Sequence, residues 1–191
     1  MFPQLIRLIL SAAICASLIL GLVLTFATVS AKTQQEKRKL EDEIPRHVPL
    51  RAKIKKEKEK EFKDLNNEKW ARDFELEVTN IGDKPIYEFY LLLVLDIKDV
   101  SGQNVLAPVY FGRTELGDIR VKATPDDVPV KPGESVILRI HPGQLDAWDI
   151  VKRKENWELP RRIRVKFQFL NFGDGTGYSG SDAGALPRRV G

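Results

Sequence analysis

The sequence predicts an all-β fold: an antiparallel β-sandwich of about seven strands with one short helix. Three observations carry this. Apolar residues recur at every second position in several stretches between Leu50 and Phe169, the period of a half-buried strand. Clusters of Gly, Pro, Asn and Asp separate those stretches at close spacing, as turns between short strands do. Only Gln144 to Asn156 carries helical spacing. Two sheets with apolar inner and charged outer faces would use all of this alternation.

Ahead of the domain, Leu8 to Ser30 is an uncharged, mostly apolar run between Arg7 and Lys32. Val29-Ser30-Ala31 has the small and β-branched residues that a signal peptidase prefers, so residues 1–31 are expected to be a secretory signal cleaved after Ala31. The run is also long enough for an uncleaved anchor, since a membrane-spanning helix needs about 20 residues. In that case residues 5–30 would be the chain's contact with a membrane. The cleaved reading places the rest of the chain in the periplasm, at the cell surface or outside the cell; for an uncleaved helix, Lys32, Lys37, Arg38 and Lys39 after the run argue for the opposite orientation. Cys15, the only cysteine, lies inside this run, so the domain has neither a disulfide nor a thiolate metal site.

Residues 32–49, charged and closed by Pro45 and Pro49, are expected to be a linker, mobile or a short frayed helix. Leu50, Ala52 and Ile54 begin the domain. The Lys/Glu alternation of residues 55–61 continues their period and predicts an edge strand; a solvated helix with i,i+4 ion pairs is the alternative. Phe74, Leu76 and Val78 alternate with acidic residues and lead into a turn at residues 80–85. Ile86 to Ile97 is apolar almost throughout, as in a central strand buried on both faces or bulged. Val105 to Phe111 is a short strand that Pro108 confines to an edge or bend. Ile119–Val121 is a possible further strand in a long loop. Val136, Leu138 and Ile140 alternate after the Pro132-Gly133 turn. Leu145, Trp148 and Val151 define the helix, ended by Pro160, and Ile163, Val165, Phe167 and Phe169 define the last strand. The domain is therefore assigned to residues 50–177, with 178–191 as a flexible Gly-rich tail. Its expected core includes Phe74, Leu76, Val78, Leu91, Leu93, Val136, Leu138, Val165, Phe167 and Phe169.

The unit Val78-Thr79-Asn80-Ile81-Gly82 leading to Ile86 resembles the V-x-N-x-G-x-x-x-I strand-turn-strand unit of immunoglobulin-like modules of exported bacterial proteins, including the FxLYD and CARDB-like groups. Lys131-Pro132-Gly133-Glu134-Ser135 resembles their L-x-P-G-E-S unit, with Val130 and Lys131 in place of the leucine-polar pair. The similarity spans residues 70–170; the ending Phe169 to Gly177 departs from these groups and resembles an uncharacterised exported bacterial family. The resemblance implies an immunoglobulin-like sandwich and supplies no catalytic residues.

The net charge of +4 is local. Residues 32–69 hold 13 Lys/Arg against 9 Asp/Glu, whereas residues 70–191 hold 17 against 18. The basic residues alternate with Glu and lack interleaved aromatics, and export removes the chain from cytoplasmic nucleic acid, so nucleic-acid binding is not expected. The two histidines, His47 and His141, complete no nucleophilic triad; His141 reads as a turn residue and Asp126-Asp127 as a loop or capping pair. Lys152-Arg153-Lys154 complements the helix dipole. Trp148, Trp157 and Tyr178 are the candidate ligand-binding residues, as a sugar-stacking platform or as core. Asp174 and Asp182 in the Gly-rich segment are the weak candidates for a cation, short of the ligand set calcium takes. No cofactor is implied. The expected function is a non-catalytic interaction or structural module, such as a surface or filament subunit, with a protein or an envelope polymer as partner. The alternative is a carbohydrate-binding or enzyme-accessory module using exposed aromatics.

Overall fold

The computed structural model describes residues 36–187, which carry nine strands, two α-helices and two short 3-10 turns. The signal or anchor reading of residues 1–31, with cleavage at Ala31, lies outside the described residues. All the elements belong to one compact unit that begins at Lys37. Among the described residues no helix is long and apolar enough to cross a membrane.

The strands are β1 (Lys39–Asp42), β2 (Leu50–Ile54), β3 (Leu76–Asn80), β4 (Glu88–Lys98), β5 (Asn104–Phe111), β6 (Ser135–Leu138), β7 (Arg162–Asn171), β8 (Gly177–Ser179) and β9 (Gly184–Leu186); the helices are α1 (Glu59–Lys63) and α2 (Pro142–Glu155). One sheet runs β5-β4-β7-β8-β9, with β1 also on β7, and the other runs β2-β3-β6. All pairs are antiparallel except β1 with β7. Both sheets feed one apolar core, to which the second contributes Leu76, Val78 and Leu138 and the first Leu91, Leu93, Val165 and Phe167.

Among the described residues the fold is all-β with one substantial helix, as the alternation predicts, but several local expectations fail for identifiable reasons. Phe169 is only half-buried while Leu170 is fully buried. Tyr90 pairs with Phe169 and Leu91 with Phe167, so Gln168 is an extra residue in β7. This bulge turns the alternation over, sending Phe169 off the core face and bringing Leu170 onto it. Val136, at an edge, is also half-buried.

Residues 56–63 are not a strand. They form a 3-10 turn (Lys56–Lys58) running into α1, because alternating Lys/Glu also places opposite charges three residues apart, and the break at Phe62 adds a pair four apart. Lys58 pairs with Glu61 at 2.8 Å, Lys63 pairs with Glu59, and Phe62 buries the helix's single apolar side chain. Ile119–Val121 is a turn, shaped by the Asp118 carboxylate accepting from the Arg120 backbone N–H at 3.0 Å. Helix α2 ends at Asn156 in the left-handed conformation (φ 49°, ψ 45°), before Pro160 is reached.

The largest correction concerns the flanks. The expected linker 32–49 contains β1, whose Leu40 lies opposite Ile163, and Val48, which is fully buried. The expected tail 178–191 contains most of β8 and all of β9, and its Ala183 is buried. The two flanks also meet: His47 Nε2 donates to the Ala183 carbonyl at 3.0 Å, and its ring stands edge-on to Tyr178 at 5.8 Å. Gly177 permits this closure, since a Cβ there would lie 2.0 Å from the Leu170 carbonyl oxygen. Gly at that point is a close-approach requirement between β7 and β8.

A candidate binding cleft under the long helix

Helix α2 begins at Pro142, which needs no N–H partner in the first turn. Before it, His141 is the N-cap, with Nδ1 accepting the Gly143 backbone N–H at 3.1 Å. His141 is therefore a capping residue. Leu145, Trp148 and Val151 fall on one face of α2 and line a cleft against the edge strand β5. Asp146 and Asp149 on α2 are bound by Arg72, from the turn that carries Trp70. That turn places Trp70, 1% exposed, beneath the helix.

The cleft holds about 290 Å3 and is apolar. Trp148 packs edge-on against Trp70, with centroids 5.8 Å apart and planes at 88°, and against Trp157 at 5.4 Å and 53°. Val105 to Pro108 of β5 form the opposite wall, where Leu106 is 54% exposed. Trp70 Nε1 and Gln144 Oε1 are buried in the cleft wall with no hydrogen-bond partner among the described residues. The arrangement provides a shaped apolar recess with one donor and one acceptor at its wall. It is not a flat platform, since the two outer indoles are tilted and half-buried.

The structure thus brings Trp148 and Trp157 together and adds Trp70, Gln144 and Leu106, which the sequence did not connect. Tyr178 belongs elsewhere, against Phe172 at 6.0 Å and His47. Asp174 accepts from the Thr176 backbone N–H at 2.9 Å and from Lys84 Nζ at 3.0 Å, and Asp182 lies in the β8–β9 connection. Among the described residues no group of three His, Cys, Asp or Glu side chains is placed to hold a metal ion.

Two other polar features have defined roles. Asp127 is held by a two-pronged ion pair with Arg113 (2.9 and 3.0 Å), whose hydrogen bonds keep its carboxyl well below the usual range. Glu88 on β4 is 5% exposed, and Oε2 has no hydrogen-bond partner among the described residues. Burial pushes its carboxyl up to about 7, against the attraction of Arg113. A lone Glu inside the apolar run 86–97 was the sequence signal for this group. Comparison of the chain with protein-family models, curated proteins and solved structures finds no match.

Proposed function

We propose that this chain is an exported, non-catalytic interaction module, an immunoglobulin-like β-sandwich that engages a protein partner through the cleft under α2. The observation that carries this reading is the cleft itself: an apolar recess of about 290 Å3 bounded by three indoles, Trp148 inclined to both Trp70 and Trp157, and an edge strand. A recess of this kind takes a single aliphatic or aromatic side chain, as interface anchors do. Leu106 and Ile150, 54% and 60% exposed, provide apolar surface for the surrounding contact. A coplanar, exposed indole pair would have favoured a carbohydrate ligand; the 53° between Trp148 and Trp157 argues against stacking on a sugar face. The immunoglobulin-like assignment draws support from the two sheets and from Asn80, which closes β3 by accepting the Gly82 backbone N–H and donating to the Lys84 and Val130 carbonyls. Export, with maturation at Lys32 or retention by residues 5–30, follows from the apolar N-terminal run.

A photo-crosslinker placed at Leu106 in living cells tests the interaction. A discrete protein adduct that disappears with Trp148→Ala is expected; adducts to glycan alone would replace this reading with the carbohydrate-binding one. Fusion of residues 1–40 to alkaline phosphatase tests export, because that enzyme matures only outside the cytoplasm, and an inactive fusion would refute it.

A further inference from the structure

A second cleft, of about 800 Å3, opens on a different side, between β1 and β2. Leu40, Ala52, Ile54 and Phe62 supply its apolar surface. The three carboxylates that line it are already engaged. Glu41 faces Arg162 at 3.9 Å, Asp42 accepts from the Ile44 and Ala52 backbone N–H groups at 3.0 and 3.1 Å, and Glu59 pairs with Lys63. Lys53 reaches Glu77 at 3.4 Å. Lys37, Lys39 and Lys56 line the same cleft, and none of them forms an ion pair among the described residues.

Arg38, 1% exposed, also borders the cleft. Its Nε donates to the Pro160 carbonyl and its Nη1 to the Phe62 carbonyl, each at 2.8 Å, while Nη2 has no hydrogen-bond partner. Among the described residues no carboxylate forms an ion pair with this guanidinium, though Asp64 and Asp96 attract it at longer range; the Trp70 and Phe62 rings lie 5.1 and 5.8 Å from it. Burial lowers its pKa to about 10, so it remains charged at neutral pH. This guanidinium is enclosed, so it contributes positive charge next to the cleft rather than a contact surface.

We infer that the β1–β2 cleft binds an anionic amphiphile, an oxyanion head on an aliphatic chain, with the head among the exposed Lys37, Lys39 and Lys56 and the chain on the apolar surface. Charge-assisted hydrogen bonds hold the head, and the apolar surface excludes a simple inorganic ion as the best ligand. An extended polyanion fits poorly, because Glu57, Glu59 and Glu61 alternate with the lysines beside the cleft.

The test is calorimetric titration of the full chain with decyl phosphate below its micelle concentration, alongside decyl maltoside and inorganic phosphate. Decyl phosphate should bind at one site at least about tenfold more tightly than either, and the Lys39→Glu/Lys56→Glu double variant should lose about tenfold or more with an unchanged melting temperature. The apolar N-terminal run is identical in both proteins, so the difference between them reads the cleft. Equal binding of decyl maltoside, equal binding of inorganic phosphate, or undiminished affinity in the double variant would each overturn the assignment.

Discussion

The central strands β4 and β7 and the peripheral strand β1 are attached to the same sheet by different means. The β4–β7 ladder buries Phe89, Leu91, Leu93, Val165, Phe167 and Leu170 almost completely, so it is held by apolar area. Strand β1 is four residues long, with only Leu40 as an apolar side chain. Its position depends on polar contacts: Arg38 clamps the Pro160 and Phe62 carbonyls, and Asp42 accepts from the Ala52 backbone N–H. The first kind of attachment writes a periodic pattern into the sequence. The second leaves only charged residues that resemble a linker.

Four substitutions bear on that difference. Phe167→Ala removes a fully buried ring from the centre and should cost about 3–5 kcal/mol in a denaturant melt; a loss under 1 kcal/mol would mean the centre is not held by area. Arg38→Met keeps the apolar stem but strands two carbonyls, and about 2–3 kcal/mol should be lost. If Arg38→Met were instead neutral, β1 would be held by Leu40 and its ladder alone.

Glu88 is the place where the centre contains a peripheral kind of group. Its carboxyl is raised from 4.5 to about 7 in the folded chain, so the folded state binds the extra proton. Its contribution to stability is therefore complete below about pH 4.5 and is lost as pH rises through 7. Glu88→Gln should stabilise the protein by about 1–2 kcal/mol at pH 8 and flatten the melting temperature between pH 5 and 8. An unchanged pH profile in that variant would show that the carboxyl is solvated. The smallest effect is expected at His141: loss of the cap in His141→Ala should cost about 1 kcal/mol, read as a small drop in melting temperature with crosslinking at Leu106 retained.

The same division explains what could be read in advance. Strands β2, β3, β6 and β7 follow from period-two spacing, β4 and β5 from apolar-rich runs between turns, and helix α2 from helical spacing, because each presents one face or both to the core. Strand β1 could not be read this way, since its pairing partner lies on the far side of the chain and its own residues are charged. The bulge at Gln168 was also hidden: the Ile163 to Phe169 alternation runs through it unbroken, and only pairing with β4 shows the extra residue. For the cleft, Trp148 and Trp157 were recognisable as a pair. Their tilt, and the wall made by Trp70 and Leu106, depend on how α2 settles against β5 and have no local signature.

The parallel pairing of β1 with β7 has a consequence in time. Leu40 and its partner Ile163 are 123 positions apart (163 − 40). At about 5–20 residues per second of synthesis, β1 waits roughly 6–25 s before its partner exists. For that interval it is an unpaired strand segment near the front of an incomplete chain, the kind that invites pairing with another molecule. Lys39, Glu41 and Asp42 oppose such premature pairing. The charges that disguise β1 as a linker are thus suited to a strand that must be made first and paired almost last.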